Sequence, residues 1–162
     1  MSWQREVRVT DRQDGKKAIT IFTMGFAGKK AEEFFQNLRE AGVRRVIDIR
    51  LNNVSQLAGF TKRDDLAYFL MTILGIEYLH MPLLAPTKQI LEDYRESKGD
   101  WLTYEERFKE LMAERQIEKE LAPDVLDRAC LLCSEPTAEQ CHRRLVTEYL
   151  KHKWHDVDIQ HL

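Results

Sequence analysis

The fold is decided by residues 129–149, which read ACLLCSEPTAEQCHRRLVTEY. An apolar run ends abruptly at Cys133, which is typical of a buried strand. Thr137 then opens a predicted helix over 138–152, because Thr137-Ala-Glu-Gln140 matches a capping box with the threonine as N-cap. A buried strand followed at once by an amphipathic helix is the repeating unit of α/β proteins.

The same alternation of strand and helix runs through the whole chain. Short apolar or β-branched runs end at turn residues, and helical stripes of apolar residues follow them. This order predicts an α/β fold with a mainly parallel five-stranded sheet and helices on both faces. The predicted strands are 18–24, 45–49, 76–81, 128–133 and 156–160, and the predicted helices are 31–41, 64–74, 87–97, 104–120 and 138–152.

The N-terminal segment has two interpretations. Residues 7–10 and 18–23 flank the turn-forming residues 11–15, so a hairpin would add an antiparallel edge strand to the sheet. The alternative is a flexible basic arm over residues 1–17. No linker or internal repeat divides the chain, and 162 residues suffice for a sizeable core, so we expect one domain over 1–162.

Composition excludes several classes of protein. A net charge of −2 gives no global attraction to nucleic acid or to a membrane, so any anion site must be local. No apolar run approaches the ~20 residues that span a bilayer, and the N-terminus lacks the apolar stretch of a signal peptide. Three cysteines do not form a disulfide framework in a chain of this length. We expect a cytoplasmic protein with reduced cysteines, and its oligomeric state stays open.

Polar and glycine residues follow four of the predicted strands. Ligands of open parallel sheets bind beyond the carboxyl ends of the strands, which meet at one edge. The sequence therefore predicts a site at that edge, although the strand bodies themselves carry few polar residues. The strand-end residues are Gly25 to Gly28, Asp48, Arg50, Asn52, Asn53, His80, Met81, Cys133, Ser134 and Glu135.

The start of the last helix adds to this predicted site. Cys141 stands four residues before the apolar Leu145, so it should point toward the sheet. His142 and Arg143 flank the apolar stripe, where the helix dipole and the arginine charge favour a phosphate, a carboxylate or a thiolate. Arg144 precedes Glu148 by one turn and is expected to form an ordinary surface ion pair.

Several of these residues also have a purely structural interpretation. For Cys133, a position in the hydrophobic core and a functional role are equally open. Cys141 is more typical of a small buried hydrophobe than of a reactive thiol. Asp48 and Arg50 lie on one side of a strand and could simply pair with each other. Cys130 should be inert core, because residues three apart on a strand face opposite ways and Cys130 and Cys133 would share neither a disulfide nor a metal.

The sequence contains no convincing motif for a metal or a cofactor. Cys133, Glu135, Cys141 and His142 could be drawn as metal ligands, but their spacing matches no strong zinc pattern. Cys141 and His142 are neighbours on the predicted helix and would point about 100° apart. Residues 25–30 lack the length and the hydroxyl of a phosphate-binding P-loop. We expect neither a metal nor a cofactor.

Five motifs follow one another along the chain, namely Thr-Met-Gly25, Val-Ile-Asp48-Ile-Arg50, Tyr-Leu-His80-Met-Pro82, Leu-Leu-Cys133-Ser-Glu135 and Cys141-His142-Arg143-Arg144. In this order they resemble the family called domain of unknown function 488, and the resemblance extends from about Ile19 to Ile159. This resemblance implies a small α/β protein with no established reaction. Many members have a histidine after the first-strand glycine, where this chain has Phe26, so no catalytic role is expected there. The most specific element of this resemblance is the combination of Cys133-Ser-Glu135 with Cys141-His142-Arg143.

Three hypotheses for function follow. In the first, the site holds the phosphate of a small anionic ligand or nucleotide, with nucleic acid also possible and no membrane partner. In the second, the protein is an enzyme acting on an anionic substrate. In the third, the site is a structural polar network in a protein that works through a partner. The predicted ligand-binding residues are Asp48, Arg50, Asn52, Asn53, His80 and Arg143.

The enzyme hypothesis assigns a role to each reactive side chain. Cys133 or Cys141 is the nucleophile, His142 is the acid or base, and Glu135 orients its neighbours. Arg50 and Arg143 form the anion clamp in this hypothesis. Thiol reactivity distinguishes it from the other two, because a cysteine with a depressed pKa is alkylated at neutral pH and a buried inert one is not.

Overall fold

The structure, a computed structural model, describes residues 18–54 and 59–162. Its five strands form one sheet in the order β3-β2-β4-β1-β5, and every neighbouring pair is parallel. The predicted α/β fold with a mainly parallel five-stranded sheet is therefore confirmed. The strands are β1 (Ile19–Gly25), β2 (Arg45–Asp48), β3 (Glu77–His80), β4 (Ala129–Cys133) and β5 (Val157–His161).

Helices connect the strands. Gly42 ends the first helix in the left-handed conformation, with a φ of 67°, as expected of a glycine at a helix stop. Within the described ranges, none of the helices has the length and apolar character needed to cross a membrane. They are α1 (Ala31–Ala41), α2 (Arg63–Phe69) with a π-helical continuation (Leu70–Leu74), α3 (Lys88–Glu96), α4 (Trp101–Glu114), α5 (Ile117–Glu120), α6 (Pro123–Leu126) and α7 (His142–Trp154).

Helices cover both faces of the sheet, as predicted. On one face, Ile21, Ile47 and Leu131 pack against residues of α3, α4, α5, α6 and α7. On the other face, Met24 and Leu132 pack against α1 and α2. This division follows from the period of two in a strand, which sends successive side chains to opposite faces. Cys130 belongs to the α1 side, so it is separated from the α7 side by the sheet itself.

The predicted helix over 104–120 is wrong in its bounds. Helix α4 begins three residues earlier, because the Asp100 carboxylate caps it by accepting the backbone N–H of Thr103 at 3.3 Å. Gln116 adopts a left-handed φ of 48° and separates α4 from the short α5. Local apolar spacing did not reveal this break, because Ile117 continues the buried stripe on the far side of it.

The predicted start of the last helix is also wrong. Helix α7 begins at His142 with Cys141 as its N-cap, and Thr137 caps nothing. Residues 134–140 instead form a largely exposed loop. The reason is tertiary, because Cys141 and Arg143 both contact the Cys133 sulfur at the end of β4, and these contacts fix the chain at the start of α7.

The first strand and the turn of the predicted N-terminal hairpin, residues 7–15, lie outside the described residues, as does the alternative flexible arm over 1–17. In the described part, β1 has a partner on each side, since Ile19–Gly25 pairs with β4 and with β5. The division of the chain into one domain over 1–162 stays a prediction.

Candidate functional site

The strand register brings the predicted strand-end residues to one edge. Asp48 is paired with His80 on one side and with Leu132 on the other. Gly25 is paired with Cys133. Gly25, Asp48, His80 and Cys133 therefore lie along the same carboxyl edge of the sheet, as their positions in the sequence predicted.

A cleft of about 510 Å³ opens at this edge. All four predicted catalytic residues line it, namely Cys133, Glu135, Cys141 and His142. Of the predicted ligand-binding residues, only Arg50 and Asn52 line the same cleft. The opposite wall comes from α3 and the start of α4, and includes Lys88, Arg95, Trp101 and Tyr104.

The chemical centre of the cleft is a pair of thiols. Cys133 is 1% exposed and Cys141 is 2% exposed, and their sulfur atoms lie 2.9 Å apart without a disulfide bond. The guanidinium Nη1 of Arg143 donates to the Cys133 sulfur at 2.7 Å and to the carbonyl oxygen of Glu135 at 2.7 Å. The two sulfurs and the guanidinium thus form one compact cluster at the end of β4.

The charge of Arg143 favours a negative charge on this pair of thiols. Its side chain is 1% exposed, and within residues 18–54 and 59–162 no carboxylate forms a salt bridge with it. A buried guanidinium needs a compensating negative charge. Two ionisable groups of the described residues contact the guanidinium, the Cys133 sulfur at 2.7 Å and the Cys141 sulfur at 3.8 Å, so a thiolate at Cys133 would place that charge nearest to it.

The surroundings shift the pKa values of the two thiols in opposite directions. Burial disfavours a charged Cys133, but the hydrogen bond from Cys141 and the attraction and hydrogen bond of Arg143 outweigh it and lower the pKa of Cys133. Its hydrogen bond to Cys133 and its burial raise the pKa of Cys141. These directions favour the thiolate form at Cys133, with Cys141 as the thiol that donates to it. Burial also raises the pKa of Cys130, which suits the inert core position predicted for it.

Gly25 allows the cluster to form. A Cβ atom at this position would overlap the carbonyl oxygen of Glu135 and would crowd Nη1 of Arg143. The absence of a side chain lets the loop after β4 lie directly against the end of β1, which presents the Glu135 carbonyl to the guanidinium. Glu135 therefore orients Arg143 through its backbone, while its side chain is exposed at the cleft.

Asp48 and Arg50 pair with each other, the simpler of the two alternatives that the sequence left open. Two parallel hydrogen bonds join them, Nε to Oδ1 at 2.8 Å and Nη2 to Oδ2 at 2.7 Å. Asp48 is 0% exposed and Arg50 is 6% exposed. Tyr78 donates its hydroxyl to Asp48 at 2.6 Å, and Arg50 also donates to the Thr61 carbonyl at 2.6 Å. The guanidinium of Arg50 is thus largely committed to internal partners.

Of the other predicted binding residues, two belong to the hydrogen-bond network of Asp48 and Arg50, and one lines the cleft. Asn53 is buried and donates its side-chain amide to the Tyr78 hydroxyl at 3.2 Å. The His80 ring hydrogen bonds through Nε2 to the Arg50 carbonyl at 2.9 Å. Neither side chain lines the cleft, whereas Asn52 is exposed there and accepts the backbone N–H of Val54 through its side chain.

His142 is held in one protonation state. Its Nε2 donates to the Ile49 carbonyl at 2.9 Å, because a carbonyl oxygen can only accept. Burial lowers the pKa of His142 to about 4, against the opposing effect of that hydrogen bond. The imidazole is therefore neutral at pH 7, and its Nδ1 carries the free lone pair.

Sequence reasoning missed the far wall of the cleft. Trp101 and Tyr104 stack with ring centroids 5.0 Å apart, and α3 presents Lys88 and Arg95 on the same side. Lys88, Leu91 and Arg95 have the i, i+3, i+7 spacing of one helix face, which was the available signal. Tyr78 was missed too, although the period of two in β3 places it on the same face as His80.

The fold and the site define a class of protein, a parallel α/β protein with a buried thiol pair and an arginine at the carboxyl edge of its sheet. The family model described as Domain of unknown function DUF488 matches residues 30–150. The chain belongs to this family, as its motifs indicated. The matched range is shorter than the resemblance noted from the sequence, since it begins after β1 and ends within α7. Neither a curated protein nor a solved structure matches the chain.

Proposed function

We propose that the protein is a cysteine-dependent enzyme in which Cys133 is the nucleophile toward a substrate held in the cleft. One observation carries this proposal: the Cys133 sulfur contacts the buried guanidinium of Arg143 at 2.7 Å, with no carboxylate in the described residues to take its place. A thiolate is the reactive form of cysteine, and a neighbouring arginine favours it.

The other cleft residues supply the remaining parts of a nucleophilic site. Cys141 donates a hydrogen bond to the thiolate and holds the nearest exchangeable proton. Neutral His142 lines the same cleft and offers Nδ1 as a hydrogen-bond acceptor. Because Cys133 and Cys141 are almost fully buried, a substrate would reach the Cys133 sulfur through the cleft that both residues line.

The far wall supports an anionic substrate with a flat part. Lys88 lies 3.5 Å from Glu92, whereas Arg95 has no acidic partner among the residues that the structure describes. The aromatic side chains of Trp101 and Tyr104 line the cleft beside it. A ring stacked on Trp101 with its negative group near Arg95 would fit both features.

Non-covalent binding of a small anion or a nucleotide is the second candidate, and the same wall favours it. Arg50 and Arg143 already have internal partners, so the contacts to the anion would come from α3. Nucleic acid belongs to this candidate as a larger source of the same phosphate group. We also propose a cytoplasmic location, which the free thiols of Cys133 and Cys141 support, because reducing conditions there keep cysteines unpaired.

Alkylation with iodoacetamide between pH 5 and 9 tests the first candidate. We expect the labelling rate of Cys133 to stay high down to a pH well below ~8.5, the ordinary thiol value, and to fall as the pH drops through its depressed pKa. At pH 6 the rate should exceed that of a free model thiol by about tenfold. Mass spectrometry of digested protein assigns each label.

Cys130 is the internal control for this experiment. It is fully buried on the other face of the sheet and should label only after denaturation. An inflection for Cys133 near that of a free thiol would contradict the proposal, and so would a Cys133 that never labels in the folded protein.

Calorimetric titration with phosphate and with a mononucleotide tests the second candidate. We expect Arg95→Ala to weaken mononucleotide binding by about tenfold, because a hydrogen bond to a charged group is lost. Lys151→Ala is the matched control, since Lys151 is an exposed cation on α7 that does not line the cleft. Equal affinities of the wild type and the Arg95 variant for the mononucleotide would show that Arg95 on α3 does not contribute to binding.

A further inference from the structure

The two sulfurs of the site are placed for a reaction with each other. Cys133 ends β4 and Cys141 is the N-cap of α7, so regular structure fixes both. Their sulfur atoms are 2.9 Å apart, and a disulfide bond is about 2.05 Å long, so less than ~1 Å of movement joins them. The exposed loop 134–140 lies between the two cysteines and can absorb this shift.

We propose that Cys133 and Cys141 form a reversible disulfide on reaction with a hydroperoxide, and that this bond switches the nucleophile off. The inference rests on the thiolate of the proposed function and adds to it a means of regulation. A small peroxide fits easily in the cleft of about 510 Å³ that both cysteines line. The thiolate next to Arg143 is the form of cysteine that peroxides oxidise.

The reaction balances in two steps. The Cys133 thiolate attacks one peroxide oxygen, the O–O bond breaks, and the alkoxide that leaves takes a proton from solvent to give an alcohol. Cys133 is now a sulfenic acid, oxidised by two electrons. The Cys141 sulfur then loses its proton and attacks the Cys133 sulfur. The S–O bond breaks as the S–S bond forms, and the departing hydroxide takes up that proton as water.

Arg143 makes the disulfide easy to reverse. In the reduced protein the thiolate compensates the buried guanidinium, and oxidation removes that negative charge. The reduced form is therefore stabilised relative to the disulfide, which raises the tendency of the bond to be reduced. A dithiol reductant converts both cysteines back to free thiols by thiol–disulfide exchange.

Treatment with one equivalent of hydrogen peroxide, followed by thiol counting and peptide mapping, tests the proposal. We expect the wild type to lose two of its three free thiols, to link Cys133 to Cys141, and to lose labelling of Cys133 by iodoacetamide. Dithiothreitol should restore both thiols and the labelling. Cys130→Ser should behave as the wild type, since Cys130 lies on the other face of the sheet.

Cys141→Ser separates this inference from the proposed function. The labelling rate of Cys133 in the reduced variant is measured first and serves as its own reference, because the Cys141 hydrogen bond is changed. Peroxide should then leave the variant with a sulfenic or higher acid at Cys133 instead of a disulfide. A wild type that labels at low pH but forms no Cys133–Cys141 bond overturns the disulfide and leaves the nucleophile standing. A Cys133 that reacts with neither reagent overturns both, and a disulfide that includes Cys130 overturns the pairing.

Discussion

Asp48→Asn is expected to lower the free energy of unfolding by about 3–5 kcal/mol. The amide has the shape of the carboxylate, so the loss comes from charge and not from a cavity. Arg50 would keep a guanidinium that is 6% exposed with no carboxylate beside it. Because small domains are stable by only about 5–15 kcal/mol, the variant should stand close to unfolding.

Urea denaturation followed by circular dichroism measures this effect. Asp64→Asn is the matched control, because Asp64 forms an ion pair of 2.9 Å with Arg63 while 86% exposed. Exposed pairs of this kind contribute about 0–1 kcal/mol. Replacing Arg50 by glutamine in the Asp48→Asn background should recover part of the lost stability, because it removes the unpaired charge. Losses of equal size for Asp48 and Asp64 would mean that the buried pair contributes no more than a surface pair.

Arg143→Gln is expected to raise the pKa of Cys133 and to slow its alkylation at pH 6 by about tenfold. The variant removes both the positive charge and the donor that lies 2.7 Å from the sulfur. Part of the loss of thiolate is offset because a thiolate of higher pKa is a better nucleophile. The pH dependence of iodoacetamide labelling measures both quantities.

The next residue provides the control. Arg144 forms an ion pair of 3.0 Å with Glu148 on the exposed side of α7, so Arg144→Gln removes the same charge one position away. It should leave the labelling profile of Cys133 unchanged. Arg143→Lys keeps the charge in case the glutamine variant does not fold, and its profile should lie between those of the wild type and a free thiol. An unchanged inflection in folded Arg143→Gln would show that the arginine does not control Cys133.

Much of the fold could be predicted from the sequence because its determinants are local. Short apolar runs at Ile19–Gly25 and Ala129–Cys133, separated by helical stripes, leave parallel pairing as the arrangement that buries both faces. The convergence of Asp48, His80 and Cys133 followed from the same logic, since parallel strands place their carboxyl ends together. The pair of Arg144 with Glu148 is one helical turn and needed no tertiary information.

The chemistry of the site was decided by contacts between distant segments. Arg143 and Arg144 are adjacent in sequence, yet one is buried on the Cys133 sulfur and the other pairs at the surface. Thr137 has the local pattern of a helix cap, but the contacts of Cys141 with Cys133 move the start of α7 to His142. A buried guanidinium that loses its partner costs more than the loss of a single cap, so the tertiary contacts of Arg143 prevail over local propensity. The sequence by itself determined which residues reach the edge of the sheet, and only the tertiary structure decided which of them are charged, paired or open to a ligand.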